Sequence, residues 1–131
     1  MAFQCFVVTP EQQVLDESIV QAIIPGDDGL LGVLTDRAPL LMKLGMGPLR
    51  IDRTNGQSSL YFISGGVAQM KDNKLTIVTN EATPAAEIDI ESTRAEYAEA
   101  EARRATDAQT AADRQKQMAR AKARQEVAEK K

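Results

Sequence analysis

Apolar residues recur along this chain at two spacings, and the change from one to the other divides it. In Phe3–Thr9 the apolar Phe3, Cys5 and Val7 alternate in period two, the spacing of a strand with one buried face, and Thr9-Pro10 closes the run with a turn. Ser18–Ile24 carries the β-branched residues Ile19, Val20, Ile23 and Ile24 and stops at Pro25-Gly26. Leu30–Leu34 and Pro39–Leu44 are short apolar runs set among glycines and prolines. Leu49–Arg53 and Ser59–Ile63 flank Thr54-Asn55-Gly56, which predicts a hairpin because Asn-Gly readily takes the positive φ of a primed turn. Val67–Lys71 and Lys74–Thr79 flank Asp72-Asn73 in the same manner, and Gly65-Gly66 marks a tight bend or bulge between the hairpins. Eight to ten short strands, with turn residues about every 8–12 positions, predict an all-β sandwich or a flattened barrel.

The pattern changes after Glu81. The last proline is Pro84 and the last glycine is Gly66, so nothing beyond residue 84 breaks a helix through backbone chemistry. Asp89 is placed to cap a helix N-terminus, with Glu91 favourable in the first turn. Ile90, Tyr97, Ala98 and Ala102 then recur at helical spacing to about Ala105. The candidate break is Thr106–Asp113, with Thr106, Asp107, Thr110 and Asp113 as turn or capping residues. A second helix is predicted from Ala111 or Asp113 to Ala128. One continuous helix is the alternative, but the charge argues for a hairpin. Residues 88–113 carry 3 basic and 7 acidic side chains, and residues 114–131 carry 7 and 2, so the two halves attract one another when folded back. The division is therefore a β unit over residues 1–84 and a helical unit over 88–131.

The helical unit has little to bury. Twelve of its 44 residues are alanine, and its larger apolar side chains are Ile88, Ile90, Tyr97, Met118 and Val127. At about 0.8 kcal/mol per buried CH₂, such a seam offers a few kcal/mol. Alanine favours the helices themselves, but their docking is expected to be marginal, which suits a segment that changes position. A fixed helical cap on the sandwich is the plainer alternative.

Composition narrows the chemistry. The chain has 131 residues, no histidine and one cysteine, Cys5, whose place in the first strand pattern marks it as a buried small apolar residue. Without histidine there is no Cys-His or Ser-His pair, and no metal site is expected. An enzyme is the class this composition favours least. No basic region precedes an apolar run at the N-terminus, and no apolar stretch has the length of a membrane span, so a soluble, cytosol-facing protein without membrane insertion is expected. The basic end of the helical unit lacks interleaved aromatics and the whole chain is net acidic, at −3, which points away from nucleic acid. Gly26–Gly32 lacks the Lys-Ser/Thr of a phosphate loop and precedes a strand instead of a helix.

Three stretches taken together are specific. They are Thr9-Pro10-Glu11, weak alone; Pro25-Gly26-Asp27-Asp28-Gly29-Leu30-Leu31-Gly32-Val33-Leu34 followed by Arg37-Ala38-Pro39-Leu40-Leu41 and Gly47-Pro48-Leu49-Arg50-Ile51; and Ser64-Gly65-Gly66-Val67 with Lys74-Leu75-Thr76-Ile77-Val78. In this order, and with the tail ending Val127-Ala128-Glu129, the chain resembles the ε subunit of bacterial and chloroplast F-type ATP synthase over essentially its whole length. The resemblance implies an α+β protein of two domains, a ten-stranded β-sandwich followed by an antiparallel α-helical hairpin. It implies a noncatalytic central-stalk subunit that couples γ to the c ring and inhibits ATP hydrolysis through a mobile hairpin. The chain would then be a peripheral membrane protein on the cytoplasmic face of the bacterial inner membrane or the stromal face of the thylakoid. Gly29, Leu30, Arg37, Ala38 and Pro39 fall where the family touches γ or the c ring, with Leu30 in place of an acidic residue and Arg37 in place of histidine.

Arg114, Lys116, Arg120, Lys122 and Arg124 fall on the basic helix that meets an acidic segment of the β subunit in the α/β catalytic head. No cofactor is required, but some members bind a regulatory ATP between the helices. The matching positions here are Ile90, Glu91, Arg94, Ala95, Arg120 and Arg124, with Glu91 in place of aspartate and Glu101 where a basic residue is expected. A hairpin acting mainly as an ATP sensor is the alternative function, and a generic sandwich adaptor is a third.

Overall fold

A single long strand organises the β unit. In the computed structural model, which describes residues 2–26, 29–102 and 108–130, β2 (Gln13–Gly26) runs for 14 residues and belongs to two layers. Its first half pairs antiparallel with β1 (Phe3–Val8), and β1 pairs parallel with β8 (Lys74–Val78). Next come β7 (Val67–Lys71) and, at the edge, β4 (Leu40–Lys43). The second half of β2 pairs with β3 (Gly29–Leu34) on one side and β5 (Met46–Arg53) on the other. β6 (Ser58–Ser64) and β9 (Ala82–Pro84) extend that layer. The register slips between Ile19 and Gln21, where β2 leaves the first layer for the second. The described residues form nine strands where the resemblance implied ten, because β2 serves both layers as one element.

Between the layers lies the main core. Cys5, Val7, Met70, Leu75 and Ile77 come from the first layer, and Ala22, Ile24, Val33, Leu49, Ile51 and Ile63 from the second, all fully buried or nearly so. These are the inward residues of the period-two patterns. Burial, helped by the nearby Glu17 carboxylate, pushes the Cys5 thiol up to about 12.

β6 departs from simple alternation. Tyr61, Phe62 and Ile63 are buried in succession, so β6 has packing on both faces. Tyr61 and Ile63 face the core between the layers. Phe62 lies on the outer side in a second cluster with Ala85, Ile88, Val127 and Ala128. A 3-10 turn, Ala85–Glu87, leads into α1 (Ile90–Ala102), followed by α2 (Ala108–Lys130). Asp89 caps α1 as expected: its carboxylate accepts from the Glu91 N–H at 3.1 Å and from the Ser92 hydroxyl at 3.2 Å.

The second helix starts earlier than Ala111 or Asp113. α2 already begins at Ala108, so Thr110 and Asp113 stand inside it; Thr106, Asp107 and the predicted end of the first helix at Ala105 lie outside the described residues. Ala108, Ala111 and Ala112 are strong helix formers, and their propensity outweighs the two polar residues placed among them. α2 likewise continues past Ala128 to Lys130, where no glycine or proline stops it.

Candidate functional site

α2 lies antiparallel to α1 and carries its basic residues in two directions. Arg120 reaches out of the hairpin to Glu81, in the connection between β8 and β9. Its Nη2 sits 2.8 and 2.9 Å from the two carboxylate oxygens, and Nε donates at 3.1 Å. Its Nη1 also approaches Glu96 of α1 at 3.7 Å. Arg124, one turn on, donates to Glu96 at 3.2 Å, and its guanidinium stacks 6.0 Å from the Phe62 ring centre. Glu81–Arg120–Glu96–Arg124 thus form a ladder crossing from the sandwich to α2, to α1 and back to α2. The ladder runs beside the Phe62, Ile88, Val127 cluster. Both arginines are half-buried, so the pairs are less screened than ordinary surface ion pairs.

Glu81 is held ready for this contact. The buried Thr79 hydroxyl donates to the Gly65 carbonyl at 2.7 Å and sits 3.2 Å from the Glu81 carbonyl, while the Ser64 N–H donates to the Glu81 carbonyl at 3.3 Å. The end of β6 therefore holds the backbone of Glu81 through contacts that do not involve the helices.

The remaining basic residues take other directions. Lys116 and Lys122 are exposed. Arg114 is half-buried and donates to the Glu101 carbonyl at 2.7 Å, bonding the two helices together. The set expected to meet an acidic partner is therefore split. Lys116 and Lys122 face solvent, whereas Arg120 and Arg124 already hold carboxylates of this chain. The positions matched to a nucleotide site divide similarly. Arg120 and Arg124 line the seam and Ile90 packs at the second cluster, but Glu91, Arg94 and Ala95 are exposed, and Arg94 stands off the face that carries Glu96. Arg103 and Arg104 lie outside the described residues.

The positions matched to the rotor contact are also separated. Gly29 opens β3 with φ of 125°, beside Leu30, which is 59 % exposed. Asp27 and Asp28 lie outside the described residues. Arg37, Ala38 and Pro39 are exposed in the turn beyond the far end of β3. A positive φ at Asp36 and two hydrogen bonds between Asp36 and Asn73, at 2.7 and 3.0 Å, hold that turn. β3, six residues that begin with Gly29 and span on the order of 17 Å, carries the chain from the first group toward the second.

Strand register places Leu30 in a wider surface. Pro25 pairs with Leu30, and Pro48 with Phe62, so Leu30, Leu34, Ile23, Pro48, Leu60 and Phe62 share the outer face of the second layer. The hairpin covers the Phe62 end. The rest forms an open groove of about 680 Å³ lined by Ile23, Leu30, Pro48, Leu60 and Tyr61, with Leu34 57 % exposed nearby. Of these features, sequence reasoning did not find the roles of Glu81, Glu96 and Phe62. The uninterrupted run Leu60-Tyr61-Phe62-Ile63 carried the mark of two-sided burial; the two glutamates had no mark distinguishing them from other surface acids.

The chain has relatives that match this architecture. Residues 2–85 match the family model described as ATP synthase, delta/epsilon chain, beta-sandwich domain. An ATP synthase epsilon chain from Pelotomaculum thermopropionicum is 37 % identical over 97 residues, 74 % of this chain and 72 % of the relative. One from Rippkaea orientalis is 34 % identical over 118 residues, 90 % of this chain and 85 % of the relative. Among solved structures, a chain of the Euglena gracilis mitochondrial ATP synthase, determined with its c ring by cryo-EM, superposes with a TM-score of 0.79 at 25 % identity. That superposition covers 98 % of this chain and 78 % of the other.

Proposed function

The chain belongs to the ATP synthase epsilon-chain family and is a rotor subunit of that membrane-associated complex, and we propose that it works there as a noncatalytic clamp with a movable arm. The β unit holds γ and the c ring, using the turn at Gly29-Leu30, the Arg37–Pro39 turn and the exposed apolar face around Ile23, Leu30 and Leu34. The helical hairpin restrains ATP hydrolysis when its basic helix engages an acidic surface of the catalytic head. The subunit sits on the side of the membrane where that head stands, cytoplasmic in a bacterium and stromal in a thylakoid. No helix among the described residues is long and apolar enough to cross a membrane.

One observation carries the arm. The hairpin meets the sandwich through a cluster of five buried residues, two of them alanine, and a short ion-pair ladder, whereas the sandwich closes on its own larger core. A contact of that size is worth a few kcal/mol, so the docked and released positions lie within reach of each other. Restraint of hydrolysis follows as differential binding: the released arm contacts the head in some catalytic states and not others.

Truncation tests the division of labour. A chain ending at residue 87, reconstituted with the head and stalk, is expected to co-purify with γ and to raise ATPase activity over the full chain. Unchanged hydrolysis would remove the restraining role, and loss of γ from the truncated complex would move the clamp into the hairpin.

A further inference from the structure

The ladder joining the hairpin to the sandwich uses the same guanidinium groups that the proposed inhibitory contact needs. Arg120 gives the Nε–Nη2 edge of its guanidinium to Glu81 and holds Nη1 3.7 Å from Glu96, so that edge is closed to a carboxylate on another protein while the arm is docked. Arg124 is similarly placed, with its head between Glu96 and the Phe62 ring. Only Lys116 and Lys122, among the described basic residues expected at an acidic partner, are exposed while the hairpin is docked.

We infer that Glu81 is an internal stand-in for the acidic partner surface, and that Arg120 is exchanged between Glu81 in the docked arm and a partner carboxylate in the released one. The inference rests on the restraining role given to the arm above. It adds that the two states are mutually exclusive through one side chain. The Ser64 N–H holds the Glu81 backbone and the Thr83 hydroxyl donates to Glu81 Oε1 at 3.4 Å, so the carboxylate is partly ordered by the β unit itself. Releasing the arm exposes Arg120 and Arg124 together with Phe62 and Val127. An acidic surface then recovers the lost ion pairs, and Glu81 returns to solvent. The exchange makes the choice between positions depend on charge at residue 81, which lies on the β unit and outside the arm.

The test separates the two arms of the exchange. Labels are placed on the full chain at Asn55→Cys and Glu126→Cys, both exposed positions, and energy transfer between them reports docking. Glu81→Gln is expected to shift the docked-to-released ratio about fivefold toward release and to remove most of its salt dependence, as befits a half-buried bidentate pair. In the reassembled complex the same change should strengthen restraint of hydrolysis, because Arg120 is freed while α2 is untouched. The double variant Glu81→Arg with Arg120→Glu should recover docking yet lose restraint. If Glu81→Gln leaves docking and its salt dependence unchanged, the exchange is wrong. If docking responds in both variants as stated but hydrolysis responds in neither, the internal pairing stands and the restraining role of the arm is what fails.

Discussion

Val127→Ala should loosen the arm without weakening either unit. Val127 is fully buried, and its neighbours are Phe62 on β6 and Ile88 before α1, so its side chain belongs wholly to the seam between hairpin and sandwich. The change removes two methyl-sized groups, a loss of about 1.6 kcal/mol at 0.8 kcal/mol per CH₂. Alanine improves the intrinsic helix propensity of α2 by a few tenths of a kcal/mol, and it does so whether the arm is docked or released, so this gain leaves the docking equilibrium alone. The net expectation is a docked-to-released ratio reduced by about fifteenfold. Energy transfer between labels at residues 55 and 126 measures that ratio, and far-ultraviolet circular dichroism checks that helix content is kept. The unfolding midpoint of the sandwich should not move, since Val127 does not touch the core between the layers. A fall in that midpoint with unchanged energy transfer would refute the reasoning, because it would mean that hairpin and sandwich unfold as one body.

Three further outcomes follow from the β unit. Gly66→Ala should destabilise the fold by more than about 2 kcal/mol in chemical denaturation, because φ there is 110° and a Cβ would be driven into the Val78 carbonyl oxygen; a loss under about 0.5 kcal/mol would contradict that placement. Asp52 is held below its ordinary 3.8 chiefly by the Ser58 hydroxyl, with Arg50 adding to the effect. A depressed carboxylate contributes stability that is present above its unfolded pKa and lost as pH falls through the lower folded one, so Asp52→Asn should lower stability by a constant amount above about pH 4 and flatten its fall below that pH. An unaltered acid limb would count against the Ser58 contact. Cys5, with its thiol pushed up to about 12 by burial and then by Glu17, should react with a disulfide reagent only at the rate of unfolding. Fast labelling of the native chain would show that the first strand is open.

Much of this architecture was legible because it depends on local rules. The alternation of Phe3, Cys5 and Val7 and the Asp89 cap are read from spacing and side-chain chemistry within a few residues, and each forms as expected. The hairpin at Asn55-Gly56 forms as well, but only Gly56 takes a positive φ, and its N–H donates to the Arg53 carbonyl in place of the primed turn that was expected. β9 and the first half of β2 were missed for the opposite reason. Ala82–Pro84 has no strand pattern of its own and is drawn into the sheet by the free edge of β6. Gln13–Glu17 mixes polar with apolar residues and is held by pairing with β1.

What the sequence determined by itself was the division into a turn-rich β unit and a glycine-free helical one, together with the opposite charges of the two helices. These follow from backbone preference and from counting charge, and neither needs a partner in space. Only the tertiary structure decided where the charges go. The charge count left the basic helix either paired with the acidic one or turned to an acidic partner. Packing turned Arg120 and Arg124 inward, because Val127 and Ala128 must cover Phe62 and the 3.6-residue period then carries the two arginines onto the same side of α2. Glu81 received its role for the same reason. It is an ordinary acid in sequence, and the end of β8 holds it where the helix must pass.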